Sequence, residues 1–252
     1  MVDFQIDDLG IARIRFETAQ QNALTSADLQ QLKDNILACS ENEAVKVVLL
    51  LSGGDQSFCA GANFKELISI KTEAESKAFF MGFGGVILAI RACSKIVVGR
   101  IQGKAVGGGV GLAAACDYVV ATDGAEVRLS ELNIGLGPFV IGPMVERKIG
   151  LSGFTSLSLN PRVWRSAQWA AEKGLYNDVY TDIANVDAHL EALLHDLAGL
   201  SSQAKAEVKR MCWEGTESWP ELLEKRAEMS GKLLLSEDCQ QQIQSFLAKS
   251  KS

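Results

Sequence analysis

Two glycine-containing turns and one carboxylate are the residues of this chain whose types and spacing suit chemistry. Gly107, Gly108 and Gly109 stand in a row and lead directly into an apolar, helix-like run from Val110 to Cys116. A glycine turn at a helix start lets backbone N–H groups point outward, where the helix dipole leaves partial positive charge that favours an anion or a carbonyl oxygen. A second small-residue turn, Ala60-Gly61-Ala62, can offer another N–H. Two such groups converging on one point make an oxyanion hole, which stabilises negative charge growing on a carbonyl oxygen. Twenty residues past Gly111, Glu131 is a single acid among Leu129, Leu132 and Ile134. Burial raises the proton affinity of a carboxyl group, so an acid in these surroundings is a candidate general base.

Each of these features has a plainer reading. Glycines at strand ends also serve tight backbone packing, and Ser130-Glu131 can simply begin a turn. Nucleotide motifs do not account for the glycines: the G-x-G-x-x-G pattern counted from Gly107 ends on Leu112, and no Lys-Ser/Thr pair follows as a P-loop requires. Asp117 and Glu126 read as structural acids, and Glu146, Arg147 and Lys148 as a solvated helix face.

The elements that must position these groups follow an alternating order. Residues 2–16 read as a β-hairpin turning at Asp7-Asp8-Leu9-Gly10. Thr25 or Ser26 can cap a helix in which Leu29, Leu32, Ile36 and Leu37 recur at helical spacing. Val47 to Leu51 is a continuous apolar run of strand length, as expected of a strand covered on both faces. After the small-residue turn, Lys65 to Ile70 turns helical and a long helix covers about 73–93. Ile96 to Ile101 then delivers the chain to the glycine turn, and Tyr118 to Ala121 is a third buried-strand candidate. Strands alternating with helices make this an α/β chain. Beyond Gly150 the pattern changes: 164–174 helical, 175–180 extended, and helices over 186–199, 201–213, 219–233 and 236–248. Such a tail either folds back on its own core or packs on a neighbour.

Composition narrows the partners. The 252 residues are 47% apolar and 22% charged, with 25 Lys and Arg against 31 Asp and Glu, a net charge of −6. An acidic balance without a basic cluster argues against nucleic acid or an anionic membrane surface as the main partner. The start MVDFQID has neither a basic n-region nor an apolar h-region, so the expected location is cytoplasmic. Six scattered cysteines without C-x-x-C spacing read as small buried thiols. The two histidines, His189 and His195, read as solvated helix residues, which leaves Ser-His-Asp and His-rich metal chemistry without a central residue.

Taken together, SFCAGANFKEL, GKAVGGGVGLAAACDYVVA and LSELNIGLGP resemble the crotonase (enoyl-CoA hydratase/isomerase) superfamily over most of residues 2–180. The resemblance implies a crotonase-like (ClpP/crotonase) spiral of ββα repeats over residues 1–190. A helical region over 191–252 would serve oligomerisation or act as a lid, in homotrimers or dimers of trimers. It implies an acyl-CoA substrate, with coenzyme A part of that substrate and no separate cofactor or metal. Carried over residue by residue, the oxyanion hole falls on the N–H groups of Ala62 and Gly108. Gln21 and Ala23 flank the CoA entry, and the loop Ala60, Gly61, Ala62, Asn63, Phe64 contacts adenine and pantetheine. Gly107, Gly111 and Phe139 line the substrate site. Phe246 and Lys249 match an F-x-x-K feature that can close the CoA site of an adjacent subunit. The acyl pocket would draw on about 66–90 and 134–143.

The chain also departs from the family pattern. Asn63 replaces the usual Asp after the Ala-Gly-Ala turn, and Ile96 the usual Pro before the second strand. At Gly111, hydratases of the best-known type have a glutamate that works with a second at the place of Glu131. With one carboxylate kept, the simplest chemistry is a proton shuttle by Glu131, as in the enoyl-CoA isomerases. A bacterial branch akin to methylglutaconyl-CoA hydratases also tends to have glycine there, which leaves hydration open. Phe139, eight residues after Glu131, stands where dienoyl-CoA isomerases and aryl-CoA dehalogenases have an aspartate, so those readings lose support. A third reading is an acyl-CoA-binding subunit that kept the pocket without the chemistry.

Overall fold

The computed structural model describes residues 1–249, with Lys249 as the end of a helix in its backbone alone. Strands β1 (Val2–Ile6) and β2 (Ile11–Phe16) form the expected antiparallel hairpin, in which the Asp7 carboxylate accepts from the N–H groups of Leu9 and Ile11. Helix α1 (Ser26–Glu41) starts at Thr25, whose hydroxyl accepts from the Asp28 N–H while the Asp28 carboxylate accepts from the Thr25 N–H. This reciprocal box satisfies two otherwise unpaired donors. Next comes β3 (Val47–Ser52), parallel to β2 on one side and to β5 (Val97–Ile101) on the other, with α2 (Phe64–Ser69) and α3 (Glu73–Ala92) between β3 and β5. Its unbroken apolar run fits a strand covered on both faces. With β7 (Tyr118–Thr122) and β9 (Asp178–Tyr180) the main sheet has six strands in the order β1-β2-β3-β5-β7-β9, parallel from β2 onward.

A second sheet, which the apolar pattern does not reveal, collects the site. It consists of β4 (Ser57–Cys59), β6 (Lys104–Val106) and β8 (Val127–Arg128), all parallel. Strands of two or three residues are too short to show a period. Each follows a main-sheet strand and precedes a helical element: α2 after β4, α4 (Gly108–Ala115) after β6, and after β8 a 3-10 turn (Glu131–Ile134) followed by α5 (Gly142–Ser158). That is the ββα spiral the resemblance implied. The C-terminal ends of β4, β6 and β8 run into Ala60-Gly61-Ala62, Gly107 and Leu129-Ser130-Glu131, so one sheet edge gathers segments far apart in sequence.

The tail folds back on its own core. After α6 (Ala167–Glu172), α7 (Ile183–Gly199) lays Val186, Leu190 and Leu194 against Ile11, Val47, Leu49, Val98 and Val120 of the main sheet. A division at residue 190 therefore falls inside a helix that belongs to the sheet. Helix α8 (Ser202–Cys212) precedes α9 (Trp219–Leu234), which packs along α3, and α10 (Glu237–Lys249) packs on the 3-10 turn. The buried Lys209 ammonium of α8 donates to the Lys95 carbonyl and lies 2.8 Å from the Asp117 carboxylate, which also accepts from the Val97 N–H and the Trp213 indole. Asp117 is thus the structural acid expected. Lys209→Met would leave that carboxylate buried without its cation, and we expect a loss of about 3 kcal/mol in a urea titration; an unchanged midpoint would show the pair to be dispensable.

Several smaller expectations need adjustment. Glu146 and Arg147 are exposed, but Lys148 is half-buried and burial pulls its ammonium below the usual lysine range. His195 is solvated, whereas His189 lies against the Tyr180 ring, 3.4 Å from Asp178. Five cysteines are buried free thiols, while Cys212 is exposed. No helix among the described residues is long and apolar enough to cross a membrane.

Candidate active site

The glycine turn forms as the residue types require. β6 ends at Val106, and Gly107, at φ 52° and ψ −117°, reverses the chain into α4. A side chain there would be strained, which is why glycine precedes this helix. The Gly107 carbonyl accepts from the Val110 and Gly111 N–H groups, opening the helix. As the first residue of α4, Gly108 keeps an N–H with no acceptor among the described residues. Its Cα faces the Phe83 ring so closely that a Cβ would lie 2.4 Å from it.

The other turn comes to meet it. Gly61 has φ +88°, and a Cβ at that position would lie 2.9 Å from the Val106 carbonyl oxygen and 3.5 Å from the Gly108 nitrogen. Backbone therefore approaches backbone where only glycine fits. The Leu24 N–H donates to Gly61 and the Asn63 N–H to Leu24, so Ala62 is bracketed by bonds while its own N–H has no acceptor among the described residues. Asn22, buried at φ 60°, holds the facing loop by donating to the Gly53 and Ser57 carbonyls at 2.7 and 2.8 Å.

Glu131 completes the set. It opens the 3-10 turn after β8, and its carboxyl lies over Gly107, where a Cβ would come within 2.9 Å of Oε1. The residue faces a cavity and is partly accessible, but its Oε2 is shut off from solvent and has no hydrogen-bond partner among the described residues. Burial pushes the carboxyl up to about 7, against the pull of the backbone N–H groups of Glu131 and Ser130. Two free amides and a carboxyl of raised proton affinity thus border one cavity of about 910 Å³. Such a set can stabilise a charged oxygen and move a proton next to it.

Other residues singled out in the sequence divide into two groups. Gln21, Ala23, Ala60, Gly61, Phe64, Gly107, Phe139 and Phe246 line the same cavity. Asn63 and Gly111 do not. Asn63 caps α2 by accepting from the Lys65 and Glu66 N–H groups, and it donates to Gln20. Gly111 is packed inside the fold: a Cβ there would lie 2.4 Å from Ile141 Cγ2 and 2.7 Å from Ile141 Cβ. Ile141 therefore fills the room a side chain at 111 would need. Phe246 packs on Phe64 of the same chain, with ring centroids 5.5 Å apart, at the lining of the cavity. The side chain of Lys249 lies outside the described residues.

Sequence reasoning passed over Asn22 and the cavity-lining pair Arg128 and Trp164, whereas Phe83 and Ile141, also cavity-lining, fall within the stretches of about 66–90 and 134–143 expected for the acyl pocket. Asn22 carried a signal, a turn-forming residue beside a small one ahead of a helix cap. Arg128 and Trp164 are recognisable only through contacts between distant segments.

Comparison with known proteins adds an independent line. The family model described as enoyl-CoA hydratase/isomerase matches residues 7–252. A probable enoyl-CoA hydratase of Bacillus subtilis (strain 168) is 28% identical over 246 residues, which are 97% of this chain and 95% of that protein. The crystal structure of an enoyl-CoA hydratase from Mycobacterium avium superposes with a TM-score of 0.84 at 27% identity, covering 98% of this chain and 96% of the other. An enoyl-CoA hydratase structure from Bacillus halodurans, 19% identical, shares the fold at a TM-score of 0.89, with 97% and 99% covered.

Proposed function

The chain belongs to the enoyl-CoA hydratase/isomerase family, and we propose that within it the protein moves a double bond along an acyl-CoA thioester, with Glu131 as the sole proton carrier. The thioester oxygen accepts from the Ala62 and Gly108 amides. Glu131 takes a proton from C2 of a 3-enoyl thioester, and the electron pair passes into a dienolate whose oxygen the amides stabilise. The same carboxyl returns the proton at C4, leaving a 2-enoyl thioester and a carboxylate ready to repeat. Atoms and charge balance without another reactant.

The observation that carries this reading is the isolation of Glu131. Among the described residues lining the cavity the only other carboxylate is Asp55. Asp55 precedes β4 and is exposed, whereas Glu131 follows β8, so the two stand at opposite ends of the small sheet. The place of a second acid, position 111, is closed by Ile141. Hydration is the second reading, favoured by the names of the relatives; there Glu131 would hold the attacking water.

A panel of 2-enoyl and 3-enoyl thioesters followed by mass spectrometry and by absorbance of the conjugated product separates the possibilities. We expect 3-enoyl thioesters to become 2-enoyl thioesters at constant mass. Accumulation of a product heavier by one water would replace isomerisation by hydration. Thermal stabilisation by acyl-CoA without product would leave a binding subunit.

A further inference from the structure

The cavity has a basic corner that proton transfer does not use. Arg128 ends β8 and pairs in register with Val106, which leads into Gly107 and Gly108. Its guanidinium lies over the Trp164 ring, 4.2 Å from the centroid, and Lys104 reaches the same ring at 4.7 Å. All three side chains line the cavity. Lys104 is already paired with Glu126 at 3.3 Å. Arg128 has neither ion pair nor hydrogen bond among the described residues, and its Nε is closed off from solvent. Asp55 lines the same cavity but pairs with neither cation among the described residues. Burial pulls the Arg128 guanidinium down, with no anion to offset it.

An arginine left with a buried, unpaired N–H is costly unless something arrives to meet it. Its planar fork suits a carboxylate or phosphate, and a stacked indole holds the fork in one plane. Paired strands lie about 4.8 Å apart, and the two residues from Val106 to Gly108 add at most about 7 Å. The Arg128 backbone is therefore close to the amide pair. From that backbone position the arginine side chain can meet a carboxylate a few carbons from a thioester held by the amides, a shorter span than the pantetheine arm between a thioester and the phosphates of coenzyme A. The apolar part of the cavity, with Leu67, Phe80, Phe83, Val140 and Ile141, is left for hydrocarbon.

We propose that Arg128, seated on Trp164 beside Lys104, is a specificity-determining residue that binds a second carboxylate at the far end of the acyl group, so that the preferred substrates are thioesters of dicarboxylic acids. This rests on the acyl-thioester reading of the same cavity.

The test compares enoyl thioesters of matched length, one ending in a carboxylate and one in its methyl ester, in the wild type, Arg128→Gln and Arg128→Lys. The wild type should favour the acid by at least tenfold in kcat/KM. Arg128→Gln should lower that preference at least tenfold, mostly through KM for the acid, and Arg128→Lys should restore part of it. Loss of both substrates alike in Arg128→Gln, disappearing when pantetheine thioesters replace CoA thioesters, would assign the arginine to a CoA phosphate and overturn the proposal. Equal wild-type treatment of acid and ester would overturn it as well. If the wild type turns over neither, the proton-shuttle reading fails by itself. Calorimetric Kd values for the saturated acid and ester then decide the subsite, equal affinities counting against it. Should Arg128→Gln not fold, Trp164→Leu takes its place with the same ratio as readout.

Discussion

Glu131→Gln is expected to lower turnover by about 10³-fold or more while acyl-CoA affinity stays within about threefold of the wild type. Glutamine keeps the shape and volume of the side chain, so the amides of Ala62 and Gly108 can still receive a thioester. What is lost is the group that accepts and returns the proton. With the carboxyl up to about 7 in the free protein, kcat/KM in the wild type should fall as pH drops below that value, because a protonated Glu131 cannot act as base. Stability should move the other way. An acid whose folded pKa lies above its unfolded value near 4.5 is protonated in both states at low pH. It destabilises the fold progressively as pH rises from there to about 7, and by a constant amount beyond. Glu131→Gln removes that effect, so the variant should be more stable than the wild type at pH 8, by about 3 kcal/mol, and equal to it near pH 4. Kinetics and thermal melts across pH check both halves. Full turnover in the variant removes Glu131 from the chemistry, and equal stability at pH 8 means that the carboxyl is better solvated than its buried Oε2 implies.

With Glu131 as the proposed proton carrier, activity and stability pull against each other at this residue because the site does not hydrogen-bond it away. A carboxylate meant only for structure would have been satisfied, as Asp117 is by Val97, Trp213 and Lys209. Leaving Oε2 without a partner keeps the proton affinity of Glu131 raised, as the proposed shuttle requires, at a cost the rest of the core absorbs.

The same contrast explains what could be read from the sequence. Main-sheet strands such as Val47–Ser52 and Val97–Ile101 were legible because burial on both faces writes an unbroken apolar run into the chain. Gly61 and Gly107 were legible because positive φ and close backbone approach demand glycine. Glu131 stood out as an acid in apolar company. β4, β6 and β8 were not legible from periodicity, since two or three residues carry none, yet they aim the two turns and the acid at one cavity. Gly111 is the sharpest case. In the sequence it is a missing acid, but in the fold it is a position whose room Ile141, thirty residues on, has taken.

That contact sets the outcome of putting the acid back. Helix α4 is buried along nearly its whole length, and the first atom of any side chain at 111 would lie 2.4 Å from Ile141 Cγ2. Overpacking of this kind costs about 1–3 kcal/mol and sometimes more, and a carboxyl driven into the same apolar wall adds a desolvation penalty of several kcal/mol unless it stays protonated. Gly111→Glu alone should therefore be destabilised by at least about 4 kcal/mol, or fail to fold, and should show no gain in hydration of a 2-enoyl thioester. Trimming Ile141 to alanine would not suffice, because its Cβ lies 2.7 Å from the position of the new one. Gly111→Glu combined with Ile141→Gly should recover much of the lost stability and open a path for the second carboxyl to face Glu131. Hydration of crotonyl-CoA above the wild-type level in the double variant, with none in the single one, is the expected pattern. A single variant with the wild-type urea midpoint would mean that α4 and Ile141 separate easily, and the packing account of the missing acid would have to be given up.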